Sequence, residues 1–444
     1  MRGQTDALPK RETIFALASA PGRAGVAMVR VSGPDADSGI RQLTGREPPS
    51  ERKAELRTLF DPSTGDQIDT GIVLFFAAPH SYTGENVVEF QIHGGRAVQG
   101  ALLSALGKLP GFRPAEAGDF TRRAVENGRL DLTQAEAIAD LVSSETDSQR
   151  ALALRQHGGA LAELYEGWRS RLIRAAAWIE AGIDFADEEL PPDAAVQSRQ
   201  EIGGILGEIH AHLNDGRRGE ILREGMQVAV IGPPNAGKSS LVNALARRDV
   251  AIVSEQPGTT RDVIEVHLDL GGYAVIMADT AGLRDSSEGI EQEGVRRARA
   301  RAKSSDLRLF VLDGAAENGE MPLVDLESAD LMVWNKADIA SIRNAPGLWV
   351  SAKTGEGLAD LVDVLSRKAA ARIGGCEAPV LTRARHRHAL EEAAQSLASV
   401  RDTPEPELAA EHVRLALRAI GRITGRVDLD ELLDVIFRDF CIGK

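Results

Sequence analysis

The sequence is poor in cysteine and contains no long apolar run. Its two cysteines, Cys376 and Cys441, exclude a disulfide framework and a cysteine-rich zinc site, and such scarcity is typical of a reducing cytosol. No apolar stretch approaches the ~18 residues that a membrane-spanning helix needs. With 43% hydrophobic and 27% charged residues, the chain is neither collagen-like nor disordered. We therefore predict a cytoplasmic globular protein without a membrane span.

Positive charge is also in deficit. The chain has 52 lysines and arginines against 66 aspartates and glutamates, which gives a net charge of −14. A chain with this charge does not coat nucleic acid non-specifically. If the protein acts on RNA, the contact must be local or shared with a partner.

The pattern of the sequence changes three times along its 444 residues, and at about 150 residues per domain this length predicts about three domains. Residues 1–125 combine turn signals with strand-like alternation, as at 88–93, and predict an α+β domain. Helical periodicity covers 126–219 and returns at 379–444, whereas 220–378 shows strand–loop–helix repeats. Because domain termini often lie close together, we predict one discontinuous all-α domain with an α/β domain inserted into it.

Capping signals predict where two of the helices begin. Thr133 and Glu136 have the spacing of a capping box and precede apolar residues at helical intervals. Asp428 and Glu431 play the same part before an apolar stripe near the C-terminus. We predict a helix after each pair.

A phosphate-binding motif occupies residues 232–239, which read Gly-Pro-Pro-Asn-Ala-Gly-Lys-Ser. The motif follows a strand-like segment and precedes an apolar helix, which is the context it requires. Backbone N–H groups of such a loop surround the phosphates, Lys238 reaches the β- and γ-phosphates, and the Ser239 hydroxyl binds Mg²⁺. The predicted nucleotide contacts in this loop are Asn235, Ala236, Gly237, Lys238, Ser239 and Ser240.

Three further motifs follow in the order typical of GTP-binding proteins. Asp279 and the Gly282 amide would meet the metal's water shell and the γ-phosphate. The Asp338 carboxylate can accept both hydrogens that guanine offers at N1 and at its exocyclic amine, a pattern that adenine lacks. Together the motifs predict an inserted Ras-like P-loop GTPase domain. Their predicted contacts are Asp279, Thr280, Ala281, Gly282, Asn335, Lys336, Asp338, Ser351, Ala352 and Lys353.

The switch region raises a question about catalysis. Residues 258–262 lie where a mobile loop places a threonine on Mg²⁺ and the γ-phosphate, and Thr260 is the predicted ligand. Leu283 follows the second motif, where Ras-like enzymes have a water-orienting glutamine. Because leucine cannot hydrogen-bond water, either hydrolysis is slow or another polar group aligns the water. The candidates for that group are Glu288, Glu291 and Glu293.

The chain resembles the MnmE (TrmE) family of tRNA modification GTPases over essentially its whole length. The resemblance is carried by the phosphate loop, by Gly-Thr-Thr-Arg-Asp at 258–262 and by Phe-Cys-Ile-Gly-Lys at 440–444. It extends to the segments 83–85, 93–95 and 130–138. It implies an N-terminal folate-binding domain that dimerises, a discontinuous helical domain and an inserted GTPase domain.

The resemblance also implies a reaction and partners. The family acts as a homodimer with the flavoprotein MnmG (GidA), which carries FAD, in a heterotetramer or larger complex on the wobble uridine of certain tRNAs. A one-carbon unit from a tetrahydrofolate derivative (the 5-formyl or methylene form) and an amine, glycine or ammonium, would be joined to the uracil ring. GTP hydrolysis would be coupled to this chemistry through potassium-stimulated dimerisation of the GTPase domains. Whether tRNA touches this chain or only the partner stays open.

By the same resemblance, Asn235 matches a potassium-binding asparagine, and residues 254–260 complete the potassium site. A monovalent cation near the β–γ bridge can neutralise transition-state charge as an arginine finger does. Glu291 matches the glutamate that orients the attacking water, and with Lys238 and Thr260 it makes the implied catalytic set. The implied potassium ligands are Asn235, Ser254, Gln256 and Thr259, and the implied nucleotide contacts of this segment are Ser254, Thr259 and Thr260.

The family's folate pocket maps onto Arg30, Glu89, Arg129 and the C-terminal Lys444. Some relatives have lysine where this chain has Arg129, a departure that keeps the charge and changes its geometry. Arg30 has an alternative interpretation as a solvated residue on the polar side of its strand. The thiol of Cys441 is a candidate nucleophile, although a lone cysteine behind an apolar helix is more often a packing residue.

Two other functions stay open at this point. One is a ribosome-assembly factor that uses GTP only as a switch, against which the acidic charge argues. The other is a folate-binding regulatory protein whose GTPase domain controls partner docking. The basic run 383–388 is a further candidate for tRNA contact, and a solvated helix end is its simpler interpretation.

Overall fold

The computed structural model describes residues 11–184, 194–248, 250–252, 265–279, 303–316, 330–374 and 379–427, together with 433, 436, 437, 440, 442 and 443. The chain divides into two compact units. Unit 1 comprises Met1–Ala139 and Gly421–Lys444, and unit 2 comprises Asp140–Ile420. The three domain boundaries inferred from the sequence stay predictions.

Unit 1 is built on a six-stranded sheet in the order β3-β4-β5-β2-β1-β6. Its strands are β1 (Thr13–Leu17), β2 (Ala24–Ser32), β3 (Glu55–Phe60), β4 (Gln67–Phe76), β5 (Val87–Gly94) and β6 (Phe112–Pro114). The β1–β6 pair is parallel and the other neighbouring pairs are antiparallel. Helices α1 (Ala36–Thr44) and α2 (Arg96–Gly107) pack their apolar side chains against one face of this sheet. Helix α3 (Asp119–Glu126) follows β6.

The alternation predicted at 88–93 is confirmed in β5. Val88, Phe90 and Ile92 are buried in the core, whereas Glu89 is only half-buried. In the antiparallel register of β2 and β5, Arg30 stands opposite Glu89. Because successive side chains of a strand point to opposite faces, this arginine and this glutamate share the face that points away from that core.

Helix α4 (Leu132–Ser143) begins at a different capping box from the predicted one. The Asp131 carboxylate accepts a hydrogen bond from the backbone N–H of Gln134 (3.0 Å), and the Gln134 side chain accepts one from the N–H of Asp131 (3.1 Å). The prediction of Thr133 and Glu136 as the cap was wrong, since both side chains are buried within the helix. Aspartate caps as well as threonine does, and Asp131–Gln134 has the same spacing two residues earlier.

Within the part of the chain that the structure describes, eight further helices follow, and short connections separate several of them. They are α5 (Asp147–His157), α6 (Ala160–Asp184), α7 (Ala194–Leu213), α8 (Arg218–Glu224), α9 (Lys238–Ala246), α10 (Leu358–Ile373), α11 (Ala384–Asp402) and α12 (Pro406–Thr424). In unit 2 the ring of Tyr165 lies 5.6 Å from Trp168, 5.9 Å from His212 and 6.3 Å from His386. Burial in this cluster lowers the pKa of His212, which favours the neutral ring.

The basic run 383–388 makes ion pairs inside unit 2. The guanidinium of Arg383 lies 2.7 Å from the carboxylate of Asp140, and that of Arg387 lies 2.8 Å from the buried carboxylate of Glu220. The interpretation of this run as a solvated helix end is therefore wrong for these two arginines. Their charge is matched within the fold, which removes the main reason to assign them to tRNA.

The second sheet lies in unit 2 and has the order β12-β11-β10-β7-β9-β8. Its strands are β7 (Met226–Ile231), β8 (Glu265–Leu270), β9 (Tyr273–Asp279), β10 (Leu307–Asp313), β11 (Leu331–Asn335) and β12 (Leu348–Trp349). Only β8 is antiparallel to its neighbour. Ligands of such sheets bind at the carboxyl ends of the parallel strands, and the predicted motifs begin at the ends of β7, β9, β11 and β12.

These elements confirm the predicted fold classes: an α+β N-terminal part, a helical part and an α/β part with a phosphate loop. Among the residues described, no helix is both long enough and apolar enough to cross a membrane.

Candidate functional site

Glycine conformation shapes the loop between β7 and α9. Gly232 has φ 148°, Gly237 has φ 86° and Asn235 has φ 63°, a region that favours glycine and tolerates asparagine. A β carbon at Gly232 would collide with the carbonyl oxygen of Val311, and one at Gly237 would collide with the amide nitrogen of Asn335. The loop thus approaches the ends of β10 and β11 so closely that only glycine fits at both positions.

The side chain of Lys238 turns back into this loop. It is 9% exposed, and its ammonium group donates to the carbonyl oxygens of Gly232 and Pro233, each at 2.9 Å. Ser239 and Ser240 are exposed in the first turn of α9, where backbone N–H groups lack partners within the helix. A cation, a helix N-terminus and a tightly wound loop therefore converge, which is an arrangement that binds phosphate.

Asn335 connects the phosphate loop to the guanine motifs. The residue is 2% exposed, its amide nitrogen donates to the carbonyl oxygen of Ala236 (2.9 Å), and its amide oxygen accepts from the N–H of Ala352 (3.1 Å). The side chain bridges two loops and so holds them at a fixed separation.

A buried serine orients the predicted guanine-reading carboxylate. The Ser351 hydroxyl donates to Oδ1 of Asp338 at 2.7 Å, and its oxygen accepts from the N–H of Thr354 at 3.1 Å. Ser351 is fully buried, so the carboxylate is fixed before any ligand binds. The motif reading anticipated only a backbone amide from residues 351–353 and missed this hydroxyl. A serine paired in space with an aspartate 13 residues earlier leaves no local signal.

The remaining guanine-motif residues surround the same corner. The Lys336 ammonium pairs with Asp313, the last residue of β10, at 2.5 Å. Sequence reasoning did not identify Asp313. Lys353 is exposed beside Ala352.

The second motif and the switch are described only in part. Asp279 is the last residue of β9, where it stands beside Val230 of β7 in the parallel register. The predicted switch, metal and catalytic residues beyond it stay predictions. Those outside the described residues are Ser254, Gln256, Thr259, Thr260, Thr280, Ala281, Gly282, Glu288, Glu291 and Glu293.

Unit 1 contains a separate charged site. Nη2 and Nε of Arg30 lie 2.9 Å and 3.1 Å from Oε1 of Glu89, and both side chains are 16% exposed. The guanidinium lies over the rings of Tyr82 and Phe120, 5.6 Å and 5.9 Å from their centroids. Burial raises the pKa of the Tyr82 hydroxyl, which keeps it neutral. Arg30 is therefore a half-buried cation among rings, and its interpretation as a solvated strand residue is wrong.

The C-terminal tail reaches the same place. Nη1 of Arg30 donates to the carbonyl oxygen of Gly443 at 3.4 Å, and Ile442 forms an antiparallel bridge with Ala117. Gly443 has φ 97°, and a β carbon there would collide with the carbonyl oxygen of Leu17. The tail at 442–443 is thus seated on the fold.

The other predicted folate residues are less completely placed. Arg129 is exposed, and its Cγ stands 3.2 Å from the position that a β carbon would take at Gly84. Cys441 and Lys444 lie outside the described residues. The structure therefore brings Arg30 and Glu89 together with the tail at Gly443, while the other assignments stay predictions.

Sequence reasoning also missed a buried ion pair in unit 1. Arg123 and Glu85 are 2.8 Å apart, with side chains 5% and 14% exposed. Arg123 also donates to the carbonyl oxygen of Ser32 (3.2 Å), whose hydroxyl lies 2.7 Å from that of Thr83. This network fixes the segment 83–85, and removing Glu85 would leave the buried charge of Arg123 without its carboxylate.

Comparison with known proteins identifies the family. The family model "MnmE helical domain" matches residues 132–441, and "GTP-binding protein TrmE N-terminus" matches residues 13–129. The tRNA modification GTPase MnmE of Parvibaculum lavamentivorans is 54% identical over 98% of this chain and 100% of its own length. The human mitochondrial 5-taurinomethyluridine-tRNA synthase subunit GTPB3 is 46% identical over 97% of this chain and 93% of its own.

Among solved structures, the G domain of the T. maritima FeoB iron transporter is 27% identical, covers 33% of this chain and 98% of that domain, and has a TM-score of 0.25. The two family models together span nearly the whole chain, and the curated relatives match it from end to end. The chain belongs to the MnmE family of tRNA modification GTPases and is an enzyme that hydrolyses GTP in the service of tRNA modification.

Proposed function

We propose that this chain works as a homodimer with the flavoprotein MnmG, in a heterotetramer or larger complex, on the wobble uridine of certain cytoplasmic tRNAs. The product carries an aminomethyl or carboxymethylaminomethyl group. The carbon that joins this group to the uracil ring comes from a tetrahydrofolate derivative in its 5-formyl or methylene form. FAD belongs to the partner, and tRNA contacts either both proteins or the partner alone. The name of the human relative supports this chemistry, because 5-taurinomethyluridine also joins an amine to the uracil ring through one carbon.

The observation that carries this proposal is the site around Arg30 and Glu89 in unit 1, which has the character of a small-molecule site and lies apart in the sequence from the nucleotide motifs. A folate has a flat pterin with N–H donors and a glutamate tail with carboxylates. Glu89 is a half-buried acceptor paired with Arg30, and the guanidinium of Arg30 lies over the rings of Tyr82 and Phe120. Such surroundings suit a flat heterocycle. Arg30 supplies a cation, and Arg129 and Lys444 are assigned as further cations by resemblance. Cys441 stays a candidate nucleophile.

Reconstitution tests the proposal directly. Purified chain, MnmG, tRNA, GTP, methylene-tetrahydrofolate and an amine (glycine or ammonium) should together yield a modified wobble uridine. Leaving out either the folate or the chain should leave that uridine unmodified. If the modified uridine formed equally well without folate, the assignment of the Arg30 site to folate would be refuted.

Residues of the phosphate loop and of the switch segment have different proposed roles in GTP hydrolysis. Lys238 holds the β- and γ-phosphates, as its position inside the loop supports. Ser239, exposed at the start of α9, and Thr260 would hold Mg²⁺. When bound, Mg²⁺ neutralises the charge that develops on the transferred phosphoryl group. Asn235 would hold K⁺ together with Ser254, Gln256 and Thr259.

Potassium should accelerate GTP turnover relative to sodium by about tenfold or more, which corresponds to roughly 1.4 kcal/mol of barrier. The reason is the placement of Asn235, which is exposed on the phosphate loop in a left-handed backbone conformation. Phosphate release in matched potassium and sodium chlorides measures the effect. Asn235→Ala should abolish the difference while GDP still binds, and equal rates in the two salts for the unmodified chain would refute the site.

Glu291→Ala should lower kcat by about a hundredfold with little change in KM, because water alignment matters mainly in the transition state. Steady-state kinetics in potassium provide the measurement. Glu288→Ala and Glu293→Ala are matched controls, and both should retain most of kcat. If Glu291→Ala moved only KM, Glu291 would be a binding residue.

A further inference from the structure

Lys336 has a backbone conformation that lysine rarely adopts, and a carboxylate holds its side chain. Its φ is 64°. Its ammonium group lies 2.5 Å from Oδ2 of Asp313, and the two side chains are 33% and 27% exposed. Lys336 follows Asn335, which bridges two loops, and precedes Asp338 by two residues. Lys336 therefore belongs to the same short segment as the carboxylate assigned to guanine.

Asp313 itself sits at a tightly fixed corner. Its Oδ1 accepts a hydrogen bond from the N–H of Ala315 at 3.0 Å, and the N–H of Gly314 donates to the carbonyl oxygen of Asn335 at 2.8 Å. A β carbon at Gly314 would stand 2.8 Å from that same carbonyl oxygen and 2.8 Å from the ring of Trp349. Any movement of Asp313 would disturb the end of β11, so its carboxylate is a rigid anchor.

We propose that Asp313 is a positioning residue for the nucleotide base, which acts by holding the stem of Lys336 as one wall of the guanine site. Lysine stems cover apolar surfaces while their ammonium groups pair elsewhere. An unrestrained lysine loses much rotamer entropy when a ligand fixes it. Because Asp313 fixes Lys336 beforehand, the base binds at a lower entropic cost. The proposal rests on the guanine site assigned to Asp338.

A second ion pair between the same strands serves as an internal comparison. Arg308 and Asp330 are 2.6 Å apart and join the beginnings of β10 and β11. Asp313 and Lys336 join the ends of these strands, where the nucleotide motifs lie. A purely structural role would be common to both pairs, whereas a role in base binding belongs to the Asp313–Lys336 pair alone.

Calorimetric titration with GDP and with inosine diphosphate tests the proposal. Asp313→Asn should weaken both ligands about fivefold, in the range expected for loss of one partly exposed ion pair. The ratio of the two affinities should not change, because the lysine stem contacts the ring face that both bases share. Asp313→Glu keeps the charge and should restore most of the affinity.

The controls separate the possible failures. Asp330→Asn should lower the melting temperature and leave GDP affinity unchanged, while Asp338→Asn should remove the preference for GDP over inosine diphosphate. Unchanged GDP affinity in Asp313→Asn would overturn the proposal, as would an equal loss in Asp313→Asn and Asp330→Asn. If Asp338→Asn kept its preference for GDP, the guanine site itself would be misplaced and both assignments would fall.

Discussion

Asp338→Asn should weaken GDP and GTP binding by roughly tenfold to a hundredfold and shift the base preference toward xanthine. In the proposed guanine site the carboxylate accepts from both N1–H and the exocyclic amine, and losing one charge-assisted hydrogen bond costs about 1.5–3 kcal/mol. The amide that replaces it presents a donor, which suits the carbonyl group that xanthine has in place of the amine. Calorimetric titration with GDP and xanthosine diphosphate measures both changes without hydrolysis.

Ser351→Ala is the matched control for this substitution. It keeps the Asp338 carboxylate but removes the hydroxyl that orients it at 2.7 Å. We expect a smaller loss of GDP affinity, about 0.5–1.5 kcal/mol, and no gain for xanthosine diphosphate. Unchanged GDP affinity in Asp338→Asn would refute the assignment of guanine recognition to this carboxylate.

Deletion of residues 441–444 should abolish tRNA modification and leave GDP binding nearly unchanged. The deletion removes the Gly443 carbonyl that Arg30 contacts and the bridge between Ile442 and Ala117, both in unit 1. The phosphate loop belongs to unit 2. Folate affinity, GDP affinity and the yield of modified tRNA should be measured on one preparation, and only GDP affinity should survive.

Two point variants separate the parts of this effect. Arg30→Ala should lose folate binding and modification together, since it removes the cation that faces Glu89 and the tail. Cys441→Ser should keep folate binding, and it should lose modification only if the thiol takes part in the chemistry. If the truncated chain matched the intact chain in all three measurements, the tail would be dispensable and the folate assignment wrong.

Local patterns predicted the elements that carry the motifs. The phosphate loop was predictable because backbone geometry near Gly232 and Gly237 admits only glycine at these two positions. The residues that form the loop are therefore recognisable as one short sequence motif. Strand β5 was predictable because one of its faces is buried, which forces apolar and polar residues to alternate. Each of these signals spans fewer than about ten residues.

Contacts between residues far apart in the sequence could not be predicted from local sequence patterns. Lys336 meets Asp313 from 23 residues away, and Arg123 meets Glu85 across 38 residues. No local pattern announces such pairs, because they depend on which strand ends and loops the fold brings together. The cap of α4 was misplaced for another reason. Asp131–Gln134 and Thr133–Glu136 have the same capping-box spacing, and Thr133 and Glu136 are buried in the folded chain, so that Asp131 is the cap.

The basic run 383–388 shows that the sequence alone also does not reveal which charged side chains form ion pairs within the fold. Arginines close together in a sequence resemble a nucleic-acid patch, yet Arg383 and Arg387 meet carboxylates that come from other parts of unit 2. Sequence composition counts charges, whereas the fold decides which of them remain available to a partner.

The most direct test of the account is mass spectrometry of wobble nucleosides from cells that lack this chain. We predict that the wobble uridine of the affected tRNAs is unmodified there, and that the intact chain restores the modification while the Asp338→Asn variant does not at normal GTP levels. Wobble nucleosides that stay fully modified, with precursor ribosomal RNA accumulating instead, would contradict the account and indicate a GTPase switch in ribosome assembly.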